Sequence, residues 1–285
     1  MNAVGELLLI FGNGYVGNKF KARLGERAVI SHADIADAAA VRAALDQHKP
    51  SSVINCAGKT GKPNVDWCED HKEETYRSNV LGPKILAEEC QKRNIHLTHI
   101  GSGCVYAGDN GGKGFTEEDP PNYDGSYYSN TKRESEAALK QFPVLQLRMR
   151  MPVDSAPNDR NLITKLVKYR KVISVPNSVS IIDDFITAAL RLIELRRTGV
   201  YNVTNPGSIV HPEILDAYKE IVDPSFSYEQ MSMDALGKII KAGRSNCVLN
   251  TDKLAKEGIT LPHVKDAIRT ALKQYKAHLS STQKL

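Results

Sequence analysis

In the stretch "YYSNTKRESE", Tyr128 and Lys132 stand four residues apart, and on a helix that spacing puts both side chains on one face. An ammonium beside a phenol stabilises the tyrosinate and lowers its pKa from near 10, so that Tyr128 can give or take a proton near neutrality. Ser102 and Cys104 close an apolar run in "HIGSGCVYAG". A serine hydroxyl there can hold a carbonyl oxygen together with Tyr128. Cys104 reads two ways, because most cysteines are small buried hydrophobes, whereas a thiol whose pKa near 8.5 is lowered by a cation is in range for proton transfer. Gly12, Gly14 and Gly17 have the GxGxxG spacing in "GNGYVG", with Asn13, Tyr15 and Val16 between them. Such glycines permit a tight turn, close approach of a pyrophosphate and close helix packing, and the following helix N-terminus favours negative charge. Taken together, the set implies carbonyl reduction by a nicotinamide: hydride to carbon, a proton from Tyr128 to oxygen, and Lys132 on the cofactor ribose.

The same pattern bears on the choice of cofactor. An acidic residue about 20 positions beyond the glycines binds the ribose hydroxyls of NAD, yet this chain has Ser31 and His32 where the second strand ends. Asp34 falls at the adenine edge instead. The missing carboxylate favours NADPH, with NADH left open.

Elements that would position these residues follow from the apolar runs. "LLLIF" (7–11), "AVIS" (28–31), "SVINCAG" (52–58), "LTHIGSG" (97–103) and "VLQLRMR" (144–150) read as buried strands, with helices at 37–48, 70–93 and 127–140. Buried runs alternating with helices predict an α/β fold with a doubly wound parallel sheet of the Rossmann type. The few residues between "AVIS" and Asp34 predict that one sheet connection is trimmed. Residues 1–150 are expected to form the dinucleotide-binding domain, with 172–205 returning to it; 151–171 and 206–275 form a smaller substrate-binding region, and 276–285 a frayed tail.

Composition narrows the partners. The 285 residues carry a formal charge of +5 and are 41% hydrophobic, enough for a sizeable core. The densest basic stretch, "KLVKYRK", is short, so a nucleic-acid partner is not expected. Five cysteines without a CxxC pair argue against a disulfide framework or structural zinc and fit a reducing, cytoplasmic setting. The apolar start lacks a basic flank and the roughly 20 residues of a membrane span, so no membrane association is expected. His96, His99 and His211 have no partner motif, so no metal is expected, and Asp183 with Asp184 reads as a structural turn.

The chain resembles the extended short-chain dehydrogenase/reductase family through "GNGYVG", "NCAG" (55–58), "NVLG" (79–82), "GSGCVY" (101–106), Tyr128 with Lys132, and "IIDDF" (181–185). It departs from that family's GxxGxxG turn, with Phe11 at the first glycine position. "GKTGKPNVDWCEDHKEETYRSNVLG", "FTEEDPPNYDGSYYSNTK", "LRMRMPV", "RNLITKLVKY" and "RSNCVLNTDKL" are similar to the nucleotide-rhamnose synthase/epimerase-reductase group. Its members convert a UDP- or dTDP-4-keto-6-deoxyglucose to the L-rhamnose sugar nucleotide.

The resemblance implies a bifunctional 3,5-epimerase/4-reductase using NADPH on a UDP-linked sugar, with UDP against dTDP open. Relatives that only reduce carry a tyrosine where this chain has Cys104, while the similar GDP-fucose synthases use a cysteine there as acid/base. Lys165 in "NLITK" matches the lysine that the plant enzymes use as second proton carrier, with Lys168 one turn on as the alternative. The resemblance further implies that Ala57, Gly58 and Pro152 contact cofactor and that Asn79 supports Lys132 through water. It puts Asn64, Asp66 and Trp67 in the sugar pocket and Arg244 near the diphosphate. Asn161 contacts a phosphate or sugar hydroxyl, or caps its helix. A separate 4,6-dehydratase is implied upstream, and a homodimer is compatible with the family. A reductase alone, an epimerase or dehydratase retaining NAD, and a non-catalytic regulatory subunit are the competing readings.

Overall fold

The computed structural model describes residues 7–282. The chain divides into two compact units, the first reaching Val105 and including Pro121–Arg148 and Ala189–Tyr201, the second made of Tyr106–Pro120, Met149–Ala188 and the chain from Asn202 onward.

The first unit is built on β1 (Leu8–Phe11), β2 (Ala28–Ser31), β3 (Ser52–Asn55), β4 (His96–Ser102), β5 (Val144–Met149) and the strand Gly199–Asn202. Their order across the sheet is β2, β1, β3, β4, β5 and Gly199–Asn202, and β1 pairs in parallel with both β2 and β3. All four residues of β1 are buried, as a parallel strand covered on both faces requires. The helices are α1 (Tyr15–Leu24), α2 (Ala38–His48), α3 (Trp67–Asp70), α4 (Lys72–Tyr76), α5 (Gly82–Lys92) and α6 (Tyr127–Leu139). Leu9, Phe11, Val53 and Leu97 of the sheet share one core with Val41 and Leu45 of α2 and Leu86 and Cys90 of α5. The predicted doubly wound sheet is the observed fold. The expected trimmed connection is not found: β2 is the sheet edge, and a six-residue loop leads from it into α2, a full 11-residue helix before β3, whose N-cap Asp37 accepts from Ala39 and Ala40 N–H at 2.8 and 3.2 Å. Chain direction across the sheet reverses between β1 and β3, and it is at the carboxyl ends flanking such a reversal that doubly wound sheets bind ligands.

In the second unit, Asn177–Ile181 lies between Asn205–Ile209 and Pro152–Val153 in a three-stranded sheet. Its core gathers Val179, Ile181 and Ile209 with Leu215 of the helix His211–Ile221 and Ile268 and Leu272 of the helix Val264–Thr282.

Two expected boundaries move. Residues 172–188 belong to the second unit, not to the first, because Ser180 pairs with Pro152 and Val179 with Asn205 inside the small sheet. Residues 106–120 join them through the bridges Gly108 to Cys247 and Phe115 to Leu249. The expected frayed tail is helix as far as Thr282. Ile268, Leu272 and Tyr275 are buried and Leu279 packs beside them, so an apolar stripe at helical spacing holds the segment down. Residues 1–6 and 283–285, where the opening of the chain and the end of that tail were read, lie outside the described residues. Among the described residues no helix is long and apolar enough to cross a membrane and no three ligating side chains cluster for a metal.

Candidate active site

The glycine turn follows β1 directly. Gly12 has φ +100°, and a Cβ there would stand 2.5 Å from Ala57 N; a Cβ on Gly17 would stand 2.0 Å from Gly12 O. Both positions therefore demand glycine for backbone clearance. Gly14 differs, since a Cβ on it would meet nothing within 4 Å. It is the N-cap of α1, no side chain caps the helix there, and the first turn carries no acidic residue. Open space over a helix N-terminus without a carboxylate fits a pyrophosphate. Asn18 braces the turn by donating from Nδ2 to Asn13 O at 2.6 Å and Gly14 O at 2.9 Å.

At the end of β2, Asn13 Nδ2 lies 3.3 Å from His32 Nδ1. Asp34 accepts from Ala36 N at 2.9 Å and pairs with Arg77 at 3.2 Å. No local pattern points to Arg77, because 43 residues separate it from Asp34 and only the sheet topology brings the two together.

The end of β3 supplies a bracket. Asn55 Oδ1 accepts from Ala57 N at 3.0 Å, and its Nδ2 lies 3.0 Å from His99 Nδ1. Burial, reinforced by Lys132, pushes the pKa of His99 well below the ordinary histidine value, so the ring is neutral. Between α4 and α5 the chain widens into a π turn, Arg77–Leu81, centred on Asn79, a departure common at functional sites. Fully buried Asn79 accepts from Lys59 N at 2.8 Å and donates to Lys59 O at 3.0 Å and Thr131 Oγ1 at 3.1 Å. Asn79 thus holds the Lys59 backbone and the neighbour of Lys132 directly.

Ser102, Tyr128 and Lys132 come together on β4 and α6. Their residues are 6, 8 and 6% exposed, and Lys132 Nζ lies 5.9 Å from the centre of the Tyr128 ring. Gly58 gives this nitrogen room, since a Cβ there would come within 3.5 Å of it. Burial lowers the pKa of Lys132 from 10.5 to about 8, against the opposing influence of Cys104 and Cys68. Cys104 is half-buried, its N–H donates to Ser102 Oγ at 3.1 Å, and its thiol is near enough to act on the charge of Lys132. Phenol and thiol thus neighbour the ammonium, and the Ser102 hydroxyl accepts from the Cys104 backbone, a set suited to moving protons at a carbonyl.

The loop after Gly58 carries the predicted sugar-pocket residues. Asn64 Oδ1 accepts from Asp66 N at 2.8 Å. Trp67 stacks on His71 with ring centres 3.8 Å apart, and Lys59 Nζ lies 5.6 Å from the Trp67 ring.

Residues 6–277 match the family described as the RmlD substrate binding domain. The chain belongs to this family. It is similar to a bifunctional dTDP-4-dehydrorhamnose 3,5-epimerase/dTDP-4-dehydrorhamnose reductase of Arabidopsis thaliana, 40% identical over 271 residues that cover 91% of this chain and 90% of that protein. Among solved structures it resembles the UDP-rhamnose synthase of Acanthamoeba polyphaga mimivirus, with a TM-score of 0.90 at 37% identity over 94% of this chain and 98% of that one. It also resembles a dTDP-4-dehydrorhamnose reductase of Bacillus anthracis in complex with NADP, with a TM-score of 0.82 at 20% identity over 95% and 98% of the two chains; at that identity the likeness is one of fold.

Within this RmlD-family chain, the remaining predicted residues belong to the second unit. Lys165 lies in the helix Leu162–Leu166 and is half-buried. Burial, then Arg160, lowers its pKa, while Asp159 opposes them. Lys168 is exposed and paired with Asp159 at 3.0 Å, whereas Lys165 is the more buried of the two. Pro152 stands on the strand Pro152–Val153, opposite Ser180. Arg244 donates to Ala242 O at 2.5 Å.

Asn161 needs correction as a ligand contact. Fully buried, it accepts from Ile163 N at 3.1 Å and Asp154 N at 3.2 Å and donates to Asp154 O and Ala156 O at 2.8 and 2.9 Å. Two acceptor and two donor positions are all an amide side chain offers, so Asn161 is the N-cap and has none left for a sugar or phosphate.

Proposed function

We propose that this chain is a bifunctional 3,5-epimerase/4-reductase that converts UDP-4-keto-6-deoxy-D-glucose to UDP-L-rhamnose with NADPH. The observation that carries the reading is the seating of Cys104 with Ser102 and Lys132: a second proton-transfer group stands beside the reduction set. Carbon-bound protons at positions 3 and 5 flank the ketone at carbon 4, and their removal leaves an enolate whose charge collects on the carbonyl oxygen. Ser102 and Tyr128 hold that oxygen, and Cys104 exchanges the proton on one face. The proton on the opposite face is assigned to Lys165, whose lowered pKa suits an ammonium that must give up its proton. After both centres invert, Tyr128 protonates the oxygen as carbon 4 is reduced.

NADPH supplies the hydride chemistry when bound. The turn Gly12–Gly17 would take its pyrophosphate, Ala57 and Gly58 would line it, and Lys132 would hold its ribose. Pro152 is proposed as a further cofactor contact, Asp34 as the residue at the adenine edge, Asn64, Asp66 and Trp67 as sugar contacts, and Arg244 as a diphosphate contact. A separate 4,6-dehydratase would supply the 4-keto-6-deoxy sugar. A cytoplasmic setting agrees with five free thiols.

The test is incubation with 4-keto-6-deoxyglucose linked to UDP or dTDP, each with NADPH or NADH, followed by product stereochemistry. L-rhamnose without added epimerase is expected. A reduced sugar that keeps the D configuration would show reduction alone, and an unchanged keto sugar would refute both activities.

A further inference from the structure

Glu69 lies two residues after Trp67, on the short helix α3. It is half-buried and accepts a hydrogen bond at 2.7 Å from the backbone N–H of Tyr127. Tyr127 is the first residue of α6 and the neighbour of Tyr128. The first N–H groups of a helix have no acceptor within it, and Ser126 Oγ meets only that of Ser129, at 3.1 Å. The carboxylate meets another from outside the helix, fixing where the first turn stands.

Little play is left at the other end of this strut. Adjacent Cys68 is fully buried, and Thr75 Oγ1 donates to His71 O at 2.7 Å. Trp67 and His71, on either side of Glu69, are stacked with planes 7° apart, and His71 Nδ1 lies 2.9 Å from Trp67 O. A side chain that bears on Trp67 therefore bears on Glu69, and through it on the turn that carries Tyr128.

We propose that Glu69 is a positioning residue coupling the sugar-contact loop, Asn64 to Trp67, to the placement of the Tyr128 phenol. The proposal rests on the reading of that loop as a sugar contact. A carboxylate at a helix N-terminus also favours the helix dipole, and geometry and charge separate by choice of variant. Glu69→Gln keeps an acceptor of the same reach without the charge, while Glu69→Asp keeps the charge one methylene short.

Turnover of UDP-4-keto-6-deoxyglucose with NADPH is measured for wild type, Glu69→Gln and Glu69→Asp, together with NADPH affinity and backbone hydrogen exchange over residues 124–131. Glu69→Gln is expected within about threefold of wild type. Glu69→Asp is expected to lose about 10- to 100-fold in kcat, the scale of a misplacement of about 1 Å, with NADPH affinity unchanged and faster exchange in the first turn of α6. The reverse order, with Asp near wild type and Gln impaired, or equal kcat in all three, would overturn the coupling. Absence of turnover in wild type would refute the proposed function, and the exchange measurement still decides on Glu69: equal protection in all three proteins would refute it.

Discussion

Lys132→Met should make the protein more stable while removing its reductase activity. Lys132 is 6% exposed, and among the described residues its Nζ donates no hydrogen bond and forms no ion pair. Its neighbours include the Tyr128 ring and two thiols, whose favourable influence leaves most of the desolvation penalty standing. The drop in pKa from 10.5 to about 8 corresponds to about 3 kcal/mol against the charged form. The folded pKa lies below the unfolded one, so between about pH 8 and 10.5 the unfolded chain holds more protons and stability rises with pH. Below pH 8 both states are charged and the whole penalty is present. Methionine has similar length and no charge. At pH 7 the variant should melt roughly 5–10 °C higher than wild type, and the gap should narrow as pH rises from 8 towards 10.5. Thermal unfolding followed by circular dichroism over that pH range measures it. If Lys132 holds the cofactor ribose as proposed, NADPH should raise the melting temperature of wild type more than that of the variant, because ribose oxygens would give the ammonium acceptors. A variant that melts at or below wild type at pH 7, or a gap that stays constant to pH 10.5, would refute the reasoning.

Cys104→Ala should abolish exchange of the protons at carbons 3 and 5 into deuterated water while retaining NADPH oxidation on an already epimerised 4-keto sugar; exchange at the normal rate would exclude the thiol as acid/base. Gly17→Ala puts a Cβ 2.0 Å from Gly12 O, which no side-chain movement relieves. NADPH binding, followed by cofactor fluorescence, should weaken by about 2 kcal/mol or more, over about thirtyfold. Asn161→Ala should cost about 1–3 kcal/mol in denaturant unfolding through the lost cap and buried bonds, with KM for the sugar nucleotide changed less than about twofold; a large rise in KM at unchanged stability would restore Asn161 as a ligand contact.

Local pattern was enough for much of this protein. The run Leu8–Phe11 and the glycines behind it specify a buried parallel strand and a tight turn because a four-residue apolar stretch and residues without Cβ have few other uses at that spacing. The four-residue interval from Tyr128 to Lys132 places both on one face of any helix. What the sequence left undecided are contacts between residues far apart in the chain. Asn79 holding Lys59 and Thr131, Arg77 meeting Asp34, and Glu69 capping Tyr127 depend on which elements the sheet order brings together, and no periodicity records that. Burial likewise differs between Lys165 and Lys168, two lysines within one turn, and four filled hydrogen-bond positions make Asn161 a saturated cap. Residue types and spacing determined which chemistry the chain can perform; the tertiary structure decided which groups lose their water and which hydrogen bonds are already taken, and those two quantities set the pKa of Lys132 and the groups left free to meet a substrate.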